Sequence, residues 1–252
     1  MAASHLRMDI DCSDKHGHFS SIEKRVEVVS FPLDSEAKKR HSLYRYLSDD
    51  EKQRAARYRF DKHRDRFIIG RGSIREILAD LGKCPPQAIR FELNQYGKPT
   101  LGEPEYIKHI QFNASSSETM GAIAVSSEMA LGIDTEKIKP ESRQDYDLIV
   151  KNEFHNAEYD WYEKHKVPER IRVFFEFWTC KEAYLKALGI GLSGKLNSFS
   201  IDLQGQEPSI RYTELESGTQ SEFSLYRLNI ADEYVTCLAL PEKNIRICLS
   251  RW

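Results

Sequence analysis

The feature that most constrains this chain is a short segment near its middle, Gly132–Glu136, in which an apolar lead-in is followed by two carboxylates. The acids, Asp134 and Glu136, are two residues apart. Because side chains alternate between the two faces of a β-strand, a strand here places both acids on the same face. The segment therefore predicts a strand that presents two carboxylates side by side, although solvated acids at a strand end would show the same pattern.

A second segment, Phe177–Lys186, is predicted to be a helix and supplies a third acid. Trp178, Glu182 and Lys186 recur every four residues, so a helix places them along one face. Taken alone, Glu182 and Lys186 would be an ordinary surface pair and Trp178 a core residue. Together with the acids of the first segment, they predict a site where three carboxylates meet beside a lysine. Such a site suits a hard cation, and Mg²⁺ acting on a diphosphate is the first use to consider.

Length and composition are those of an ordinary globular protein. The 252 residues could form one large domain or two smaller ones, either of which could bury a core. The net charge of −2 argues against nonspecific nucleic-acid binding. No apolar run approaches the ~20 residues of a membrane span, so we expect no membrane association. Five scattered cysteines without a CxxC pair favour reduced thiols in a cytoplasmic protein.

The order of predicted elements indicates an α+β fold with two similar halves, in each of which helices precede a meander of short strands. We expect a flexible leader at residues 1–20, a first half at 21–126 and a second half at 127–252. Met120–Val125 and Ala130–Glu136 are separated by only a few residues, and we expect them to pair as an antiparallel hairpin. The predicted helices are a charged one that Ser48 caps, Arg66–Leu81, Asp145–His165 and Glu169–Leu188.

The segment Gly189–Gly194 matches G-x-G-x-x-G literally but is not predicted to bind a dinucleotide. That motif must follow a strand and open a helix, whereas this segment follows the predicted helix Glu169–Leu188. We interpret Gly189 as the helix C-cap and the remainder as a glycine-rich turn.

Read together with two further segments, these features resemble the 4′-phosphopantetheinyl transferase superfamily, in particular its larger Sfp-like branch. The further segments are Gln95–Pro99, which contains Y-G-K-P, and Phe112–Ser117, which begins F-N-x-S. The chain also follows the order of motifs in the family, from an arginine-bearing helix to W-x-x-K-E-A-x-x-K and G-x-G-L. The resemblance extends from about Arg57 to about Ile201 and is strongest at G-I-D-x-E and W-x-x-K-E-A-x-x-K.

This resemblance implies a fold and a reaction. Sfp-like enzymes are pseudo-dimers of two α+β halves in one chain, with coenzyme A and Mg²⁺, or Mn²⁺ in its place, bound between the halves. They transfer the 4′-phosphopantetheine arm to a serine hydroxyl of an apo acyl or peptidyl carrier protein and release adenosine 3′,5′-bisphosphate. We therefore expect a monomeric enzyme, because the fused halves already form the interface that smaller relatives build by association.

The resemblance also implies roles for individual residues. Asp134, Glu136 and Glu182 would bind the metal, with Glu136 acting through a water molecule. The catalytic set would be Glu182, Lys186 and Asp134, with Glu182 as general base, either directly or through a metal-bound water. Lys186 could reach the α-phosphate of coenzyme A. Lys181 would contact a phosphate or only cap the edge of the site.

The 3′-phosphate of coenzyme A needs a separate basic site. Lys98, held on a Gly-Pro turn, is the first candidate for that contact. Arg71 and Arg75, one helical turn apart, are the next, while Arg66 and His63 are weaker choices. An arginine on a charged helix could equally be a solvated side chain.

One departure from the family pattern concerns Ser116, because the family commonly has a histidine at this position for the 3′-phosphate. Hydroxyls of Ser115 and Ser116 can donate hydrogen bonds to a phosphate but contribute no charge. The main alternative function is thus a catalytically degenerate module that binds coenzyme A or a carrier protein, against which the intact acids argue. A different Mg²⁺-dependent phosphotransferase is weakened by the lack of P-loop and kinase motifs.

Overall fold

The structure, a computed structural model, describes residues 24–139, 143–191, 194–213, 223–243 and 245–252, and the predicted leader lies outside them. The described chain has the predicted mixed α+β character. Its helices are α1 (Ala37–Tyr44), α2 (Asp49–Ala56), α3 (Asp61–Gly82), α4 (Arg143–Glu153), α5 (Asn156–Glu163) and α6 (Val167–Leu188). Its strands are β1 (Arg25–Pro32), β2 (Arg90–Leu93), β3 (Pro99–Glu103), β4 (Gln111–Ser117), β5 (Met120–Ser126), β6 (Gly132–Lys137), β7 (Phe199–Asp202), β8 (Ser209–Thr213), β9 (Ser224–Leu228), β10 (Tyr234–Leu240) and β11 (Arg246–Arg251).

The strands form two principal sheets and two small hairpins. The first sheet has the order β11–β1–β5–β4, in which β11 runs parallel to β1 and the other neighbours are antiparallel. The second sheet has the antiparallel order β6–β10–β9. Strands β2 and β3 form one hairpin, and β7 and β8 form the other. None of the described helices combines the length and the apolar character needed to cross a lipid bilayer.

Strand β5 is buried along its whole length because both of its faces are covered. Ile123 and Val125 belong to an apolar cluster with α3, which also contains Ile77. Ala122 and Ala124 face a different cluster, formed with side chains of the second sheet. The two sheets therefore share a core on one side of β5, while α3 covers the other side. Successive side chains of β5 point to opposite faces, so one strand contributes to both clusters.

The predicted hairpin between β5 and β6 is wrong. Strand β5 pairs with β1 and β4, whereas β6 pairs with β10 in the second sheet. The connection between them carries Met129 and Leu131, which are buried in the cluster between the sheets. Because both apolar side chains are drawn into that core, the chain leaves one sheet and enters the other instead of turning back on itself.

The boundary between the two halves at residues 126 and 127 stays a prediction, but the last strand of the second half lies in the sheet of the first half. Strand β11 follows β10 along the chain, yet it lies in the first sheet, with Ile247 in register with Val26 of β1. Ile247 is buried in the cluster between the sheets. The two halves are thus joined by a shared strand as well as by shared apolar packing.

The helix predictions agree with the structure except at some boundaries. Glu51 accepts the Ser48 backbone N–H at 2.9 Å, which confirms that Ser48 caps the charged helix α2. The stretch predicted as one helix at Asp145–His165 is divided into α4 and α5 at His155, whose ring caps α5. Gly189 adopts a φ of 74° and ends α6, so the predicted C-cap is confirmed.

Candidate active site

The two principal sheets meet where β4 and β6 lie side by side, and side chains join these strands in place of a backbone ladder. The Asn113 side-chain oxygen accepts the backbone N–H of Ile133 at 2.8 Å. Further along, the Ser117 hydroxyl accepts the backbone N–H of Lys137 at 3.2 Å. Asn113 of the F-N-x-S motif and Ser117, two residues beyond it, therefore satisfy backbone donors of β6 and set the position of the acids that β6 carries.

Gly132 allows helix α6 to lie directly on the start of β6. A Cβ atom at this position would overlap the backbone oxygen of Ala183 and the backbone nitrogen of Ala187. Only glycine permits an approach this close. The consequence is that Glu182 and Lys186, on the same stretch of α6, are brought to the acids that follow Gly132 on β6.

Asp134 is the centre of the resulting cluster. Its Oδ1 atom accepts hydrogen bonds from the Lys186 Nζ at 2.6 Å and from the Ser115 hydroxyl at 2.8 Å. Glu136, two residues later, accepts the Ser117 hydroxyl at 2.6 Å. Strands β4 and β6 and helix α6 each contribute to this cluster. The strand and helix periodicities predicted the acids of β6 and Lys186 of α6, but not the hydrogen bonds from the serines of β4.

Burial raises the pKa of both Glu136 and Glu182, since a negative charge is poorly solvated there. Asp134 raises both pKa values further, whereas Lys186 lowers them. Two atoms of the cluster, Asp134 Oδ2 and Glu182 Oε1, are buried without a hydrogen-bond partner among the described residues. An unpaired buried carboxylate oxygen is energetically costly, so these atoms favour a cationic ligand.

The acidic side chains of the cluster do not form a closed set of metal ligands as they stand. Within the described parts of the chain, no three His, Cys, Asp or Glu side chains converge closely enough to hold one. The donor atoms available are carboxylate and hydroxyl oxygens, which Mg²⁺ prefers. The unpaired oxygens of Asp134 and Glu182 show that the residues present are chemically suited to such an ion.

A cleft with a volume of about 620 Å³ extends from this cluster along the first half. Its basic lining consists of Arg54, His63, Arg66, Arg71 and Lys186. Its apolar and hydroxyl lining includes Phe31, Leu33, Tyr58, Phe67, Ile74, Ser115 and Ser116. Because Lys186 and Ser115 line the cleft and also bond Asp134, the basic cleft and the acidic cluster form one continuous site.

Comparison with known proteins agrees with this geometry. Residues 130–239 match the family model described as the 4′-phosphopantetheinyl transferase superfamily, and residues 34–128 match the one described as 4′-phosphopantetheinyl transferase, N-terminal. The chain is also 35% identical to the 4′-phosphopantetheinyl transferase HetI of Nostoc sp., over 77% of this chain and 81% of HetI. The chain belongs to the 4′-phosphopantetheinyl transferase superfamily.

Two further transferases show the same relationship. The chain is 34% identical to the 4′-phosphopantetheinyl transferase gsp of Aneurinibacillus migulanus, over 68% of this chain and 70% of that relative. It is 28% identical to the 4′-phosphopantetheinyl transferase Sfp of Bacillus subtilis, over 84% of this chain and 89% of Sfp. The predicted membership of the Sfp-like branch is confirmed, and the chain is an enzyme of this class.

Four of the main candidates for binding coenzyme A line the cleft of this transferase: Arg71, Ser115, Ser116 and Lys186. Arg71 is held in place from two sides. Its Nε atom is 3.2 Å from Glu51, and its guanidinium lies 5.2 Å from the centre of the Phe91 ring. The cation is thereby oriented before any ligand arrives.

The structure corrects the prediction for Lys98, which was the first candidate for the 3′-phosphate. Its Nζ donates to the backbone oxygens of Leu131 at 2.9 Å and Lys186 at 2.7 Å. Lys98 is not among the residues that line the cleft. Burial lowers its pKa to about 8. The ammonium therefore joins the Y-G-K-P turn to the second half instead of facing a phosphate.

The predictions for Arg75 and Lys181 are also corrected, because both side chains are buried and bonded to other parts of the protein. Arg75 is 1% exposed, and its guanidinium bonds Glu51 at 2.8 Å and the backbone oxygen of Ile89 at 2.8 Å. Lys181 is fully buried, with its Nζ 2.9 Å from Glu158. It also donates to the backbone oxygens of Leu196 and Phe199. All three donors of the Lys181 ammonium are used in these contacts, and neither Lys181 nor Arg75 is among the residues that line the cleft.

Sequence reasoning did not name Arg54 and Tyr58 and gave His63 and Arg66 only as weaker choices, although all four line the cleft. Arg66 also bonds Asp34 at 3.1 Å and Glu118 at 3.2 Å. The signal that could have found them is the dense mixture of arginines and aromatic residues from Arg54 in α2 to Phe67 in α3. Such a mixture suits a ligand that has both phosphates and an aromatic base.

Proposed function

We propose that this transferase moves the 4′-phosphopantetheine arm of coenzyme A to a serine hydroxyl of an apo acyl or peptidyl carrier protein and releases adenosine 3′,5′-bisphosphate. The observation that carries the proposal is the continuity between the basic cleft and the acidic cluster through Lys186. Coenzyme A has the same division, with a phosphorylated nucleoside at one end and a reactive diphosphate beyond it. The cleft would bind the first part and present the second to the acids.

The binding roles in the cleft follow from its lining. Arg54 and Arg71 would contact the 3′-phosphate, since guanidinium groups bind phosphate oxygens through paired donors. Tyr58 and Phe67 would cover the adenine face. Ser115, at the junction with the acids, would turn its hydroxyl from Asp134 to donate to the diphosphate.

Asp134, Glu136 and Glu182 would hold the Mg²⁺ ion, or Mn²⁺ in its place. Support comes from the unpaired buried oxygens of Asp134 and Glu182 and from the all-oxygen character of the cluster. Glu136, one of whose oxygens already accepts the Ser117 hydroxyl, would act through a water molecule. When bound, the ion supplies Lewis-acid neutralisation of the diphosphate charge.

The protein's own residues would then handle the proton and the leaving group. The serine oxygen of the carrier forms a bond to the β-phosphorus, and its proton passes to Glu182, whose raised pKa improves it as a base. The bond between the β-phosphorus and the bridging oxygen breaks. The resulting negative charge on the α-phosphate develops beside the Lys186 ammonium, which stabilises it.

The deciding experiment is intact-mass spectrometry of apo acyl and peptidyl carrier proteins incubated with the transferase, coenzyme A and Mg²⁺. We expect the carrier to gain the mass of one phosphopantetheine arm. The gain should disappear with EDTA and with Glu182→Gln but persist with Glu169→Gln, which changes an exposed acid of the same helix. No gain on any carrier, with coenzyme A still bound in calorimetry, would favour the degenerate binding module instead.

We further propose that the enzyme works as a cytoplasmic monomer without nucleic-acid or membrane partners. The shared core between the two sheets supports a complete site within one chain. Within the described residues no cysteine forms a disulfide, which suits a reducing compartment. Light scattering after size exclusion tests the monomer, and a mass of two chains would refute it.

A further inference from the structure

The proposed mechanism does not explain the close contact between the Lys186 ammonium and the Asp134 carboxylate. Its Nζ is 2.6 Å from Asp134 Oδ1 and also within 3.4 Å of the Ser115 hydroxyl and the backbone oxygen of Ile133. A lysine waiting for the α-phosphate has no need to bond a metal-binding carboxylate so closely. The Asp134 side chain is only 4% exposed, so this contact is largely shielded from water.

The contact places the positive charge of the Lys186 ammonium beside the carboxylate that would bind a divalent cation. Asp134 Oδ1 is already used by Lys186 and Ser115, while Oδ2 has no partner among the described residues. Two cations that share one buried carboxylate repel each other strongly, because the screening by water is reduced there. A metal ion bound to Asp134 would therefore be weakened for as long as the ammonium stays.

We propose that Lys186 is a tethered counter-cation that keeps metal affinity low until coenzyme A binds. This inference rests on the proposed function, which supplies the metal and the diphosphate. The diphosphate would draw the Lys186 ammonium from Asp134 to the α-phosphate and so remove its repulsion of a metal ion at the unpaired Oδ2. Lys186 is then a coupling residue as well as a phosphate contact. By linkage, the metal must tighten coenzyme A by the same factor that coenzyme A tightens the metal.

The length and exposure of Lys186 support this exchange. The side chain is 24% exposed and also lines the cleft, so it reaches both the acids and the space for a phosphate. Lys181, five residues earlier on α6, offers a contrast because its ammonium is fully buried against Glu158. Only a lysine at the junction of cleft and cluster can change partners without unfolding its surroundings.

The test measures Mn²⁺ binding by electron paramagnetic resonance of the free ion, with and without coenzyme A, in the absence of any carrier. For the unmodified protein we expect coenzyme A to tighten Mn²⁺ by about tenfold, within the usual range of coupling between two sites. Lys186→Met keeps the apolar stem but removes the charge. It should bind Mn²⁺ about tenfold more tightly than the unmodified protein without coenzyme A and lose most of the coupling.

Two further variants test whether the charge of Lys186 is the cause. Lys186→Gln keeps a hydrogen-bond donor for Asp134 without the charge, and it should behave like Lys186→Met if charge is the cause. Lys137→Met removes a lysine from β6 whose ammonium is 3.1 Å from Glu233, and it should leave Mn²⁺ binding unchanged. Circular dichroism of each variant confirms that it is folded.

The outcomes separate this inference from the proposed function. If the unmodified protein binds Mn²⁺ equally well with and without coenzyme A, or if both Lys186 variants bind it no more tightly, the counter-cation role is refuted. If Glu182→Gln then abolishes Mn²⁺ binding, the metal site itself stands. If no protein binds Mn²⁺ even with coenzyme A, the metal assignment in the proposed function fails as well.

Discussion

The Nζ atom of Lys98 donates a hydrogen bond of 2.7 Å to the backbone oxygen of Lys186, although the two residues lie in different halves of the chain. The same ammonium bonds the oxygen of Leu131 just before β6, and Asn94 of the same turn donates to the oxygen of Gly189 at 2.9 Å. The Y-G-K-P turn thus ties together the end of α6 and the start of β6, the two elements that carry the acids.

We predict that Lys98→Met lowers the free energy of unfolding by about 1–3 kcal/mol, because the oxygens of Leu131 and Lys186 lose their donor in a part-buried site. It should also reduce kcat with coenzyme A and with dephospho-coenzyme A to the same extent. Urea unfolding and steady-state kinetics check both expectations. A defect confined to the substrate that has the 3′-phosphate would instead return Lys98 to the phosphate contacts.

The stability that depends on Lys98 should increase with pH. Burial lowers the pKa of Lys98 from 10.5 to about 8 in the folded protein. Between these values the unfolded chain holds more protons at Lys98 than the folded chain does, so raising the pH favours folding through this group. The difference in unfolding free energy between the unmodified protein and Lys98→Met should therefore widen from pH 8 to pH 10. A constant difference would show that the ammonium is not desolvated.

Lys181 is predicted to be a structural residue whose loss can be partly compensated. Lys181→Met leaves the Glu158 carboxylate buried and uncompensated, which should destabilise the protein by about 3–5 kcal/mol. Glu158→Gln added to it removes that charge but keeps an acceptor for the backbone N–H of Ile201. The double variant should be more stable in urea than Lys181→Met alone. Additive losses would argue against the pair.

The placement of Asp134 and Glu136 on one face of β6, and of Glu182 and Lys186 on one face of α6, could be predicted because each depends on local periodicity. The two-residue repeat of β6 and the four-residue repeat of α6 define which side chains share a face, whatever the rest of the fold does. Gly132 then decides how closely these faces approach, and this follows only from the backbone of α6 that crosses it.

The partners of the basic residues could not be predicted, since they lie far apart along the chain. Arg75 was predicted to bind phosphate together with Arg71 because the two are one helical turn apart. In the structure Arg75 is buried instead, where its guanidinium bonds Glu51 and the backbone oxygen of Ile89. The pairing of β6 with β10 instead of β5 depends in the same way on tertiary packing, here the burial of Met129 and Leu131 between the sheets. Residue type and spacing predict a face, whereas the partner of a cation depends on tertiary packing.

Arg71→Ala should raise the KM for coenzyme A by about tenfold to a hundredfold, as expected when a charged hydrogen bond worth about 1.5–3 kcal/mol is lost. With dephospho-coenzyme A the variant and the unmodified protein should have similar KM values. Arg172→Ala, at an exposed position on α6 paired with Glu176, is the matched control and should change neither. An equal rise in KM for both substrates would show that Arg71 orders the cleft without contacting the 3′-phosphate.

Ser116→His should lower the KM for coenzyme A, because Ser116 is exposed on the cleft wall and an imidazole there adds a charge that the hydroxyl lacks. Histidine has an ordinary pKa near 6.5, so the effect should be several-fold at pH 6 and smaller at pH 8. Ser116→Asn, which adds bulk and a donor without charge, should show little pH dependence. Kinetics at both pH values with coenzyme A and dephospho-coenzyme A decide the matter. A clearly higher KM for the histidine variant at pH 6 would mean that this position has another role than facing the 3′-phosphate.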